Sequence, residues 1–330
     1  MAAEKLSNLL IVSCTRLKHG DPNTGLIAAN FSRKQAPTRV AKAWKKAIAD
    51  AKTADRSSGK LKPAAGRYKG GYWSKAQMAA QEIAKQGGRT MVVSAGLGLV
   101  GIEEEISCYD ATFSAHGKDR VPGAETLAGR QKWWELIGGS DRLRAELRQT
   151  NRRKGKVLCA VPASYLAVIG PDLEQASKAL GEDLVIVTAE SDVEIAEKFG
   201  LENHLAPASA WLTRTKRDEF FAVAGSITGC AALFLLNKVR AKNLTPKTAT
   251  RALDRLKKTV PDWNTNFYPK RIRQTPEAVR EWIQQCHESE TLPGSKSAAL
   301  KKFRGQGLGF EQKHFGRIFE EVKESLGELP

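Results

Sequence analysis

Residues Arg89–Ser114, RTMVVSAGLGLVGIEEEISCYDATFS, decide how this chain is read. The β-branched apolar run Met91–Val93 stops at Ser94-Ala95-Gly96, and glycines or small residues recur up to Gly101. Three carboxylates follow, Glu103–Glu105, and then the cluster Tyr109-Asp110-Ala111-Thr112-Phe113. A strand that ends in a small-residue loop marks the place where open α/β sheets receive ligands, beyond the carboxyl ends of the strands. A carboxylate and a phenol beside such a loop supply groups for proton transfer or for stabilising a cation.

Working outward, apolar runs alternate with helical spacing. Leu9–Val12 ends in Ser13-Cys14 and has the length of a buried strand. Thr90–Val93, Lys156–Val161, Leu184–Thr188 and Phe220–Ala224 read as further strands. Helices are expected over Ala36–Asp50, over Ser74–Gln86 with Ser74 as N-cap, over Trp133–Leu147 interrupted at Gly138-Gly139, over Leu173–Leu180 and over Gly229–Ala241. Alternating strands and helices imply an α/β fold, a mostly parallel sheet with helices on both faces. Thr53–Gly71, rich in Lys, Gly, Ser and Pro, reads as a mobile basic loop. After residue 240 the pattern changes. Thr245-Pro246 and Thr275-Pro276 put proline at the first helical position. Ser295–Phe303, Gly305–Gly309 and Phe310–Leu326 read as helix, glycine turn and helix, with Lys313 and Arg317 on the second helix. Two domains are expected: residues 1–240, α/β and catalytic, and residues 241–330, a small all-α helix-turn-helix-like domain that binds DNA.

The 330 residues carry 53 Lys/Arg against 36 Asp/Glu, a net charge of +17. A balance this basic favours a polyanion, with nucleic acid ahead of an anionic membrane. Twelve Lys/Arg against two acids fall between Arg33 and Lys69, and seven against one between Arg142 and Lys156. Cations expected on DNA are Arg39, Lys42, Lys69, Arg152, Arg153, Lys301, Lys302, Arg304, Lys313 and Arg317. No run reaches the ~20 apolar residues of a membrane span. Five scattered cysteines, 14, 108, 159, 230 and 286, suit a reducing cytoplasm rather than a disulfide framework. No obligate protein partner is evident.

The chemistry narrows by elimination. Gly96-Leu-Gly98-Leu-Val-Gly101 fits GxGxxG, but Glu103–Glu105 would repel a pyrophosphate where the helix should begin. Neither HExxH nor CxxC spacing occurs, and neither a GxSxG elbow nor a phosphate-binding GKS/GKT loop. No metal and no cofactor are therefore expected. Ser13-Cys14-Thr15-Arg16-Leu17-Lys18 and Ser226-Ile-Thr228-Gly229 follow strands and offer hydroxyls, a thiol and cations to the same sheet edge. Tyr68, Tyr72 and Trp73 lie amid Lys and Gly, a setting for base stacking; a hydrophobic staple for the next helix is the plain alternative for Trp73.

Together these pieces form a pattern: Ser13-Cys14 with Lys18, Ala65-Gly66 with Tyr68, Gly70 and Tyr72-Trp73, Ser94-Ala95 with Gly98-Leu99-Val100, and Tyr109–Phe113. Over roughly residues 7–240 the chain resembles the YaaA-like superfamily and its relatives in 7-deazaguanine nucleic-acid modification. Within that group it is most similar to anti-phage DNA glycosylases that excise glucosylated hydroxymethylcytosine. The resemblance implies a fold related to uracil-DNA glycosylases, double-stranded phage DNA as partner, and antiviral removal of a modified base to leave an abasic site.

The residues support that chemistry. A glycosylase extrudes a nucleotide and stabilises an oxocarbenium-like sugar while water attacks, a task for a carboxylate near C1′. Asp110 is the expected catalytic carboxylate, with Tyr109 and Ser94 beside it. Ser13, Cys14, Lys18, Tyr72, Trp73, Gly98, Phe113 and Ser226 are expected to hold the base or its sugar. With Lys18 the one lysine in the mouth, hydrolysis is favoured over a Schiff-base lyase step. Two other readings stay open: an enzyme modifying a 7-deazaguanine in DNA, as nitrile hydratase or amidase with Cys14 as nucleophile, and a non-catalytic DNA-binding protein.

Overall fold

The computed structural model describes residues 8–31, 35–115, 117–208, 227–258 and 272–326. Two compact units divide the chain, residues 1–261 and 262–330.

In the first unit, β1 (Leu9–Ser13) is followed by α1 (Pro37–Ser57), β2 (Lys62–Pro63), α2 (Ala64–Arg67) and α3 (Gly71–Lys85). Next come β3 (Arg89–Ser94), β4 (Gly98–Gly101), β5 (Glu105–Ile106), α4 (Leu127–Leu136) and α5 (Gly139–Arg152). The unit continues through β6 (Val157–Ala160), α6 (Ala163–Leu180), β7 (Leu184–Ala189), α7 (Val193–Glu197), β8 (Leu205–Ala208), α8 (Ile227–Lys238) and α9 (Pro246–Lys258). Six strands form the central sheet in the order β4-β3-β1-β6-β7-β8. All pairings are parallel except β3 with β4.

The strands form where the apolar runs are continuous, because both faces are covered. Leu9, Leu10, Ile11 and Val12 have no solvent exposure. Each such side chain contributes about 1.5–3 kcal/mol by leaving water. From β1 the chain moves one way to β3, then crosses back beyond β1 to β6, β7 and β8. With right-handed crossovers, the two directions of travel put helices on opposite faces. Accordingly α3 packs on β1, β3 and α8, while α4, α5 and α6 pack on one another, with α5 against β4 and α6 against β7.

Several expectations are corrected. Gly98–Gly101 is an antiparallel edge strand, not loop, so only Ala95–Leu97 make the turn. The segment 53–71 is not a free basic loop: α1 runs on to Ser57, and Arg67 is buried. Its guanidinium donates to the carbonyls of His19 and Lys60 (2.7 Å each) and of Ile106 (3.1 Å), and His19 and Ile106 are distant partners that the local composition does not reveal. Helix α3 starts at Gly71 with Gly70 as N-cap, so Ser74 lies inside the first turn. The sheet's outer parallel strand is Leu205–Ala208, and Phe220–Ala224 lies outside the described residues. The unit boundary falls after α9, not at residue 240, because Ala249, Leu253 and Leu256 belong to the first core.

The second unit contains β9 (Ile272–Arg273), α10 (Pro276–Glu288), α11 (Lys296–Gly305), β10 (Leu308–Gly309) and α12 (Gln312–Ser325). The two short strands pair in parallel, so the unit is not purely helical. Thr275, Ser295 and Glu311 cap the three helices through their side chains. Val279, Ile283, Phe303, Phe315, Ile318 and Phe319 form a core of its own. Among the described residues, no helix is long and apolar enough to cross a membrane.

Candidate active site

The order of the sheet reverses at β1, with β3 on one side and β6 on the other. In open α/β sheets the crevice beyond the carboxyl ends at such a switch point is where ligands bind. Ser13 and Ser94 end β1 and β3 there, and α6 begins just beyond β6. Tyr72 bolts this edge together: its hydroxyl accepts from the backbone N–H of Ser13 and donates to the carbonyl of Ala160, both at 2.9 Å. The phenol is thus a molecular bridge across the ends of β1 and β6.

Behind the edge lies a chain of hydroxyls. Tyr109 is 2.7 Å from Ser94 Oγ and 3.0 Å from the Tyr68 hydroxyl, and the Leu97 N–H donates to Ser94 Oγ. Cys14 Sγ lies 3.1 Å from the Tyr165 hydroxyl, and Tyr165 stands edge-on to Phe113 with ring centroids 5.4 Å apart. Burial pushes Tyr68, Tyr72, Tyr109 and Tyr165 above the ordinary phenol range, so this wall is neutral.

The charge sits in front of it. Asp110 is half-buried on a short parallel bridge to Ile27. The bridge Thr112↔Arg120 folds the chain back and carries Asp119 to the same place. Asp119 is buried, and its carboxylate accepts from Arg16 Nε at 3.2 Å. Lys18 Nζ stands 4.2 Å over the Tyr109 ring and donates to the Arg16 carbonyl. Burial pushes the Asp110 carboxyl up, the neighbouring charge of Asp119 pushes it further, and Lys18 and Arg16 oppose them. The arrangement is a carboxyl pair under two cations, floored by uncharged phenols. It can hold or accept a proton and stabilise positive charge in front of it.

The structure therefore brings Ser13, Cys14, Lys18, Ser94, Tyr109 and Asp110 to one sheet edge. Not all of them face a ligand. The hydroxyls of Tyr109 and Ser94 are buried and bonded to each other, which makes them positioning residues. Tyr72, Trp73 and Phe113 are core residues; Trp73 packs edge-on against Tyr68 and donates to the Ala65 carbonyl. For Tyr68, Tyr72 and Trp73, all buried, the stacking reading gives way to the structural one. Gly98 has φ +72° and starts β4 against α5, where an added Cβ would lie 3.3 Å from Gly139 Cα, so its role is packing. Gly96 is needed for a different reason: a Cβ there would sit 2.5 Å from the Tyr109 ring. Ser226 lies outside the described residues. Glu104 is an ion-pairing residue. Burial raises its carboxyl, but Arg142 at 2.7 Å outweighs this and holds it below the usual range.

Of the expected DNA contacts, Arg39, Lys42, Lys69, Arg152, Arg153, Lys301, Lys313 and Arg317 are exposed. Lys302 and Arg304 instead donate to the carbonyls of Thr291 and Phe310 within their own unit. Sequence reasoning missed Asp119 and Tyr165, and it placed Arg16 at the sheet edge without its carboxylate partner. Tyr165 follows β6 closely, a signal present in the sequence; Asp119 depends on a bridge that the sequence does not announce. Comparison of the chain with family models, with curated proteins and with solved structures gives no match.

Proposed function

We propose that this protein is a monofunctional DNA glycosylase. It flips out a modified base, glucosylated hydroxymethylcytosine of phage DNA, and hydrolyses its N-glycosidic bond as an antiviral act in the cytoplasm. The observation that carries this reading is the Asp110–Asp119 pair beneath Arg16 and Lys18 at the switch point of the sheet. The general fold suits a relative of the uracil-DNA glycosylases, and the α11–turn–α12 arrangement suits a helix-turn-helix DNA contact.

In this mechanism the C1′–N bond breaks and the base leaves with its electron pair, taking a proton from solvent. The ionised Asp110 carboxylate stabilises the oxocarbenium-like sugar and accepts a proton from the water whose oxygen bonds to C1′. An environment that raises the proton affinity of Asp110 makes it the better acceptor. Arg16 holds Asp119 behind it, and the hydroxyl chain through Tyr109 fixes the floor. Cys14 faces phenols rather than a cation, and only 4% of its surface is exposed, which gives the thiol-nucleophile reading no support.

Glucosylated phage DNA, ordinary DNA and deazaguanine-bearing DNA are incubated with the protein and treated with alkali. Strand breaks are expected in the glucosylated sample alone, and Asp110→Asn is expected to bind DNA yet release no base. Full activity of Asp110→Asn, or a mass change confined to the deazaguanine sample, overturns the proposal.

A further inference from the structure

Helix α9 is amphipathic in a particular way. Ala249, Leu253 and Leu256 are buried in the first core, the last at 6% exposure. At 100° per residue, Lys247, Arg251, Arg255 and Lys258 fall within one arc on the opposite side, and all four are exposed. The stripe spans about 16 Å at 1.5 Å per residue. One carboxylate, Asp254, shares that side. Among the described residues, none of the four cations makes an ion pair; the neighbouring Lys257 reaches Glu190 at 3.7 Å.

Elsewhere some of the positive charge is answered within the protein. On α5, Arg142 pairs with Glu104 and Arg144 with Asp172; on α1, Lys46 pairs with Asp50 and Lys52 with Glu104. In the second unit Arg280 pairs with Glu321 and Lys296 with Glu320. Residues 272–326 hold nine Lys/Arg against eight Asp/Glu, whereas residues 246–258 hold five against one.

We propose that the α9 stripe is a track for the phosphodiester backbone of duplex DNA. Four cations in a row, unpaired among the described residues, match a polyanion with repeating charge; at 3.4 Å of axis per phosphate, the stripe faces about five phosphates of one strand. An anionic membrane is the competing polyanion. A helix that binds membranes buries its apolar face in lipid, and in α9 that face is already in the protein core. The surface reads charge rather than sequence, so it binds modified and unmodified DNA alike, and it does not depend on the glycosylase assignment.

The test is the salt dependence of binding to a fluorescein-labelled 25-base-pair duplex of ordinary sequence, for the full-length protein and for Lys247→Gln/Arg251→Gln/Arg255→Gln/Lys258→Gln. With about 0.9 counterion released per phosphate contact, the slope of log K against log salt is expected to fall in magnitude by about 3–4, with affinity down at least 100-fold at low salt. The double variant Lys247→Gln/Arg255→Gln is expected to lose about half as much slope. Because the four side chains are exposed, both variants are expected to keep the wild-type melting temperature. An unchanged slope overturns the proposal. So does wild-type binding to phosphatidylserine vesicles, lost in the variant, without binding to the duplex. Loss of base release without loss of duplex binding in Asp110→Asn tests the glycosylase reading separately.

Discussion

Replacing Tyr72 by phenylalanine tests the claim that one phenol holds the switch point closed. The ring stays, and only the hydroxyl that joins the Ser13 N–H to the Ala160 carbonyl is lost. Both backbone groups lie in buried residues, so each loses its partner away from water. Leaving a buried donor or acceptor unmade costs about 1–3 kcal/mol. Partial relaxation of the strand ends reduces the pair, and the expected loss is about 2–4 kcal/mol. For a unit of this size, a loss of that order lowers Tm by roughly 5–15 °C at 2–4 °C per kcal/mol. Calorimetry of wild type and Tyr72→Phe measures it, with hydrogen exchange at the Ser13 amide as the local readout. A change in Tm under about 2 °C with unaltered Ser13 protection would refute the bridging role.

Two further expectations follow from the buried carboxyls. Asp119 raises the proton affinity of Asp110, so the ionised form that the proposed mechanism uses appears only at higher pH. Asp119→Asn should therefore shift the acidic limb of kcat/KM for base release to lower pH, while Lys18→Gln should shift it upward; limbs that stay put argue against the pair. Asp172, buried on α6, accepts from Trp134 Nε1 (2.9 Å), Ser140 Oγ (3.0 Å) and Arg144 Nε (2.7 Å), tying α4 and α5 to α6. Asp172→Ala leaves the buried Trp134 and Ser140 donors without their acceptor and should cost about 2–4 kcal/mol in urea denaturation; a loss below 1 kcal/mol would show those donors finding other partners.

The parts of the fold visible in the sequence were those governed by continuous burial. Leu9–Val12, Met91–Val93 and Leu184–Val187 are apolar because parallel strands are covered on both faces, and the convergence of Ser13 and Ser94 follows from that topology. The hairpin strand Gly98–Gly101 escaped because four residues with a glycine at each end are too few to show strand alternation. Arg67 and the aromatics 68, 72 and 73 looked exposed because their neighbours in sequence are polar. Their real partners, such as Ala160 for Tyr72 and Ile106 for Arg67, lie 39 to 88 residues away. Asp119 belongs with them, since a two-residue bridge has no sequence signature.

Arg67 also separates two properties of the site. Carbonyls do not titrate and a guanidinium keeps its charge, so the clamp that joins His19, Lys60 and Ile106 has no pH at which it lets go while the protein is folded. Asp110, four residues beyond Ile106, is the opposite kind of group: burial and the neighbouring charge of Asp119 push its carboxyl up, so its charge follows the medium. Shape and charge at this edge are thereby held by different chemistries, and acidification can neutralise Asp110 without loosening the Arg67 clamp.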